Sequence, residues 1–263
     1  MKNSSLLIIL TLCFFESEAQ ETRQYFLNKY FEVTQEQKEA FFIRLAQPYN
    51  EYWVYTDYDS KERVVRTGYY TDSTFTTPIG PHSFSWEGQL LYKGRYVDGK
   101  PSGYWYFYNK KGEIYDSLHY YESETSKTNL ALNKTSQEEK NKSKELKEEH
   151  LKKDTSVTFT SVDIEATFPG GDKAWAKHIS QKLSLPDLIM ALNRPQKMTV
   201  EIQFIVCKDG EICSVEALNS SSPLLDIMAV NAIRKGPRWQ PASQNGRNVK
   251  AWRRQKISFI IPE

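Results

Sequence analysis

The sequence predicts an α+β protein: an antiparallel β-meander, a charged linker, and a C-terminal domain with the order β-α-β-β-α-β. Three observations carry this reading. Short aromatic and β-branched runs punctuated by glycine fill residues 49–121. Residues 122–156 are rich in lysine and glutamate and contain neither proline nor glycine. From residue 157 onward, helical and alternating apolar patterns take turns. The 263 residues suffice for two modest domains, and the formal net charge of +2 gives no global pull toward nucleic acid or an acidic membrane.

Residues 1–19 read as a secretory signal peptide. A lysine precedes an apolar run from Leu6 to Phe15, and Ser17 and Ala19 are small residues where a signal peptidase needs them. The run is about half of what spans a bilayer as a helix. Removal of this segment takes Cys13 with it and leaves Cys207 and Cys213 in an oxidising compartment. Between these two cysteines lies "KDGEI", a strong hairpin-turn signal. A loop of three or five residues puts them opposite each other for a disulfide, whereas two or four leaves two small buried thiols. With no histidine nearby, zinc binding is not expected.

Residues 20–48 are expected to be helical over Glu21 to Leu45, with Phe26, Tyr30, Phe41, Ile43 and Leu45 facing inward and Gln47-Pro48 closing the helix. In residues 49–121 a repeat appears. "ERVVRTGYY" (62–70), "GQLLYKGRY" (88–96) and "GEIYDSLHY" (112–120) align, with "GPHSFSW" and "GYWYFYN" between them. Each unit reads as a β-hairpin, and "DGKPSG" (98–103) reads as a turn. The stretch "YKGRYVDGKPSGYWYFYNKKGEI" resembles MORN-like repeats, and that resemblance implies a meandering sheet used for binding or scaffolding. Its aromatic rows are first of all cross-strand packing. In the linker, 122–156, Glu145 with Glu149 and Lys144 with Glu148 are spaced for one helix face, and of these two pairs the second has opposite charges.

In residues 157–263, "TFPGGDKAWAKHI" raises the question of a phosphate loop. Neither G-x-x-x-x-G-K-[ST] nor G-x-G-x-x-G is present, so the glycines turn a corner. Asp172 is the expected N-cap, and Trp175, Ile179 and Leu183 form one apolar face. "MTVEIQFIV" alternates as a strand, with Val200, Ile202, Phe204 and Val206 on one side. "ICSVEAL" follows the hairpin turn. Ser222 caps a second helix with Pro223 at its first position, and Leu225, Met228, Ala229, Ala232 and Ile233 form its buried stripe. "RWQPASQNGRNV" is a loop with an Asn-Gly turn, Trp239 packs a core corner, and "KAWRRQKISFII" is the last strand.

Four blocks, "TFPGGDKAW", "VEIQFIVCKDGEI", "LLDIMAVNAIRKGPRWQPASQNGRNVK" and "ISFIIP", resemble the TonB C-terminal domain. The resemblance implies a periplasmic module, linked to transmembrane transport, that docks a TonB-dependent outer-membrane receptor or another envelope protein by strand addition at a sheet edge. By position, the receiving edge comprises Ala251, Arg253, Arg254, Gln255, Lys256, Ile257 and Phe259, and Arg247 and Lys250 add positive charge. The same charges also suit an edge that resists aggregation. Membrane association is expected only through partners, and exposed sheet edges are compatible with a homodimer. A true energy transducer, held in the inner membrane by an uncleaved N-terminus, is the alternative, although members that transmit force carry a longer apolar helix and a proline-rich spacer. Scaffolding by the repeats is another. No nucleic acid, cofactor or metal is expected. Nor is catalysis, since His82, His119, His150 and His178 fall in no recognised catalytic motif.

Overall fold

The computed structural model describes residues 21–120, 157–183, 192, 194–218 and 222–262. The signal-peptide and linker readings lie outside these residues. An eight-stranded antiparallel meander opens the described chain: β1 (Arg23–Leu27), β2 (Phe42–Tyr49), β3 (Tyr52–Asp59), β4 (Val64–Tyr70), β5 (Pro78–Trp86), β6 (Gln89–Val97), β7 (Lys100–Tyr108) and β8 (Ile114–Tyr120). Spatial order equals chain order, so every connection is local.

The expected helix over Glu21 to Leu45 is therefore corrected to two strands and a short 3-10 turn, Gln37–Glu39. The inward parity also differs. Leu27, Phe42 and Ala46 are buried, whereas Phe41, Ile43 and Leu45 are exposed. Arg44 occupies an inward position between Phe42 and Ala46, where it pairs with Asp57, and this charge interrupts the apolar alternation that marks a strand. Pro48 sits within β2, opposite Trp53, near the strand end that proline tolerates.

The three aligned repeat blocks become β4, β6 and β8, and the intervening blocks become β5 and β7. Asp98 and Gly99 alone form the turn between β6 and β7, both at positive φ (49° and 77°), and Val97 pairs with Lys100. The expected six-residue turn is thus two residues long, as a twist-compatible hairpin requires. Gly68 and Gly94 occupy matching places in β4 and β6, and each leaves room for a ring of the next strand. A Cβ would lie 2.4 Å from His82 at Gly68 and 2.2 Å from Trp105 at Gly94. Rings then run strand to strand from Tyr55 through Tyr70, His82 and Tyr96 to Trp105, with centroids 4.9 to 5.8 Å apart.

The C-terminal region contains α1 (Gly171–Lys182), β9 (Gln196–Val206), β10 (Ile212–Ala217), α2 (Pro223–Arg234), the hairpin β11 (Ala242–Gln244) and β12 (Arg247–Val249), and β13 (Ala251–Ile261). Its antiparallel sheet has the order β10-β9-β13. The first extended run of the expected order is a strap rather than a sheet strand. It forms isolated bridges at Phe159, Ile164 and Thr167. The N-cap of α1 is Gly170, in the left-handed region at φ 85°, and Asp172 lies in the first turn instead. Ser222 does cap α2, accepting from the Leu225 backbone, with Pro223 inside the start.

Helix α2 buries two faces rather than one stripe. Asp226, Ile227 and Val230 are buried alongside Leu225, Ala229, Ala232 and Ile233. The reason is a shared core. Trp105, Phe107, Leu118 and Tyr120 of the meander belong to the same apolar cluster as Phe204, Leu225, Ile233, Trp239 and Phe259. Polar contacts join the same surfaces: Tyr120 donates to Asp226, while Asn231 and Arg234 both donate to Asp116. Leu192 packs on a second cluster built around Leu27, Phe42, Val65 and Phe84, and Arg194 pairs with Glu32.

Candidate functional site: the open edge of the C-terminal sheet

Strand β13 pairs along its whole length with β9, from Ala251 opposite Val206 to Ile261 opposite Gln196. It is the last strand of its sheet, so its other side is an edge. The strap closes one end of that edge. The Phe159 N–H donates to the Lys250 carbonyl, and the Trp252 N–H donates to the Phe159 carbonyl. These two bonds fix the parity of the strand. Groups of even-numbered residues point away from β9, so the N–H and C=O of Arg254, Lys256, Ser258 and Ile260 face the open side. Among the described residues, nothing pairs with them there.

Side chains divide by the same parity. Ala251, Ile257 and Phe259 are buried against the core. The structure thus places these three expected partner-binding residues beneath the edge rather than on it. Arg253 and Gln255 share that side, half-buried, and Arg253 reaches Glu165 of the strap at 3.4 Å. Arg254, Lys256, Ser258 and Ile260 lie on the opposite, exposed face, and Ile260 is 70% exposed. On that face Arg254 donates to Gln203, which donates in turn to Glu216, a polar row across all three strands. Lys250 is buried and Arg247 lies on the separate β11–β12 hairpin, so neither belongs to the free part of the edge. Sequence reading missed Ser258, Ile260 and the Phe159 strap. The first two follow from strand alternation once one outward group is known.

At the β9–β10 turn, Cys207 and Cys213 are joined by a disulfide, with Cα atoms 6.0 Å apart. The pairing is not the direct opposition that loop length implied. Cys207 lies opposite Glu211, and Cys213 is the extra residue where the ladder shifts register between Ile212 and Ser214. Gly210, at φ 84°, backs onto Trp239, whose N–H donates to the Gly210 carbonyl. Trp239 itself packs against Phe168, Trp175 and Phe204. The turn, the disulfide and the aromatic corner together anchor the end of β9 that supports the start of β13.

Ionisable groups of unusual environment sit in the meander instead. Asp57, fully buried, accepts from Arg44 and Arg66, whose guanidinium groups lie over Tyr55 and Phe31. Burial lowers the His82 pKa to about 4, and the nearby Arg66 and Arg44 charges add to the effect. His82 Nδ1 lies 3.3 Å from the Tyr55 hydroxyl. His178 Nε2 instead lies 2.9 Å from the Ala232 carbonyl, joining α1 to α2.

The arrangement defines a class: a small α+β module with a supported antiparallel edge at β13 that is unpaired past the strap among the described residues, packed on a β-meander. Residues 189–261 match the family described as the Gram-negative bacterial TonB protein C-terminal. No curated protein and no solved structure matches the chain. Among the described residues, no helix is long and apolar enough to cross a membrane.

Proposed function

We propose that this chain is a binding protein of the periplasm that takes up an extended segment of an outer-membrane receptor or another envelope protein by strand addition to β13. The observation that carries the reading is the row of outward N–H and C=O groups at Arg254, Lys256, Ser258 and Ile260, on a strand held along its other side by β9. The family match supports the link to the envelope and its transport systems, and a disulfide suits an oxidising compartment. Binding, rather than catalysis, is the work assigned to the edge. The meander, read as MORN-like from its two-strand repeat and its Gly68 and Gly94 seats, serves as the scaffold on which the module is fixed.

Replacement of Ser258 by proline tests this. The Ser258 N–H is directed outward, so Ser258→Pro leaves the β9 ladder its bonds and removes a donor from the middle of the edge. The expected result is a folded full-length chain that no longer recovers envelope proteins captured by the wild type. Undiminished recovery by the folded variant rules the edge out as the docking site.

A further inference from the structure

Strand addition by itself is indifferent to side chains, because backbone groups make the bonds. The surroundings of this edge are not indifferent. Arg254 and Lys256 project from the exposed face at the two outward-bonding positions next to the strap. Arg254 is engaged only with the neutral side chain of Gln203 among the contacts of the described residues. Lys256 stands opposite Glu201 in the register without forming an ion pair with it. Among the described residues, therefore, no carboxylate closes on either cation. Two positions further along, Ser258 is small and polar, sharing a contact with Thr199, and Ile260 exposes an aliphatic side chain. The edge thus carries a chemical gradient, cationic beside the strap and apolar at the far end.

The strap sets where this gradient begins. Phe159 already satisfies the Lys250 carbonyl and the Trp252 N–H, so among the described residues Arg254 is the first past the strap whose N–H and C=O both remain open to an incoming strand. Glu165, also on the strap, holds Arg253 on the core-side face and leaves Arg254 and Lys256 as the cations of the outer face. A partner strand paired with Arg254 to Ile260 brings every second side chain onto the same outer face as these residues.

Resting on the docking reading above, we infer that the partner is an acidic extended segment. Its carboxylates lie beside Arg254 and Lys256, and its apolar end lies beside Ile260. Arg254, Lys256 and Ile260 are the specificity-determining residues, and Phe159 is the positioning residue that fixes the register. Exposed pairs of this kind are individually weak, so their contribution is discrimination among strands rather than most of the affinity.

The experiment titrates the full-length chain with two synthetic peptides of about ten residues, one alternating threonine with glutamate and ending in valine, the other with glutamine in place of glutamate. Backbone NMR shifts report where each binds. The expected result is shifts at residues 254–260 for both, with the glutamate peptide bound about three- to tenfold more tightly at low salt and the preference shrinking as salt is raised. Lys256→Glu with Arg254→Glu should reverse the preference, and Lys256→Ala alone should reduce it while leaving the fold intact. Equal binding of the two peptides at residues 254–260 overturns the acidic-partner inference and leaves strand docking standing. No shifts at those residues with either peptide overturns docking and the inference together. Shifts that extend to residues 250–252, with the Phe159 strap displaced, overturn its role in setting the register.

Discussion

The Tyr120 hydroxyl donates a 2.5 Å hydrogen bond to the fully buried carboxylate of Asp226, joining the last meander strand to helix α2 across 106 residues of sequence. Around it the two regions share one apolar core. The bond decides how α2 is seated, because a buried carboxylate is costly to leave without its donor. Removal of the Tyr120 hydroxyl with Tyr120→Phe should lower stability by about 1–3 kcal/mol. Chemical denaturation followed by both tyrosine and tryptophan signals checks it. The wild type should show a single transition for the two regions, and two separate transitions would contradict the shared core.

Gly94 holds the seat of Trp105. A methyl group there would meet the indole at 2.2 Å, and that indole is completely buried. Gly94→Ala should cost about 2–3 kcal/mol and weaken the near-UV dichroism of the tryptophans. Combination with Trp105→Leu should recover part of that loss, giving a non-additive cycle. Additive losses would mean that the close approach is not what the glycine provides.

Acid should destabilise the protein in two steps. His82 is held neutral, with its pKa lowered to about 4 by burial, whereas the unfolded chain titrates near 6.5. The unfolded state therefore binds the extra proton first. Stability is fully present above about pH 6.5 and declines as pH falls toward 4, by up to about 3 kcal/mol. Glu32, lowered to about 2 chiefly by the hydrogen bond from Arg194, contributes only as pH falls below its ordinary value of 4.5. Unfolding midpoints measured between pH 7 and 4.5 isolate the histidine. His82→Gln should flatten the curve in that window, and an unchanged slope would remove His82 as its source.

The meander from residue 49 and the helices and long strands of the C-terminal region were legible because their apolar periods are clean, whereas the strap and the β11–β12 hairpin were not. Val200, Ile202, Phe204 and Val206 alternate, and Trp175, Ile179 and Leu183 keep helical spacing. Misreadings gathered where a polar residue holds an inward place. Arg44 broke the alternation of β2 because its partner, Asp57, lies on the next strand. Asp226 disguised the second buried face of α2 because Tyr120 is remote in sequence. Loop length alone missed the register of Cys213 because a bulge adds a residue that no turn motif announces. The position of the edge could be inferred from the strand, but its outward parity could not. That rested on two bonds to Phe159.

The double burial of α2 also has a consequence for the order of events in folding. Synthesis runs from the N-terminus, so Tyr120 is made 106 residues before Asp226. At common elongation rates that interval is roughly 5–20 seconds. Throughout it, Trp105, Phe107 and Leu118 belong to a sheet whose covering helix does not yet exist. Helix α2 is the element whose arrival completes the cover of those buried rings.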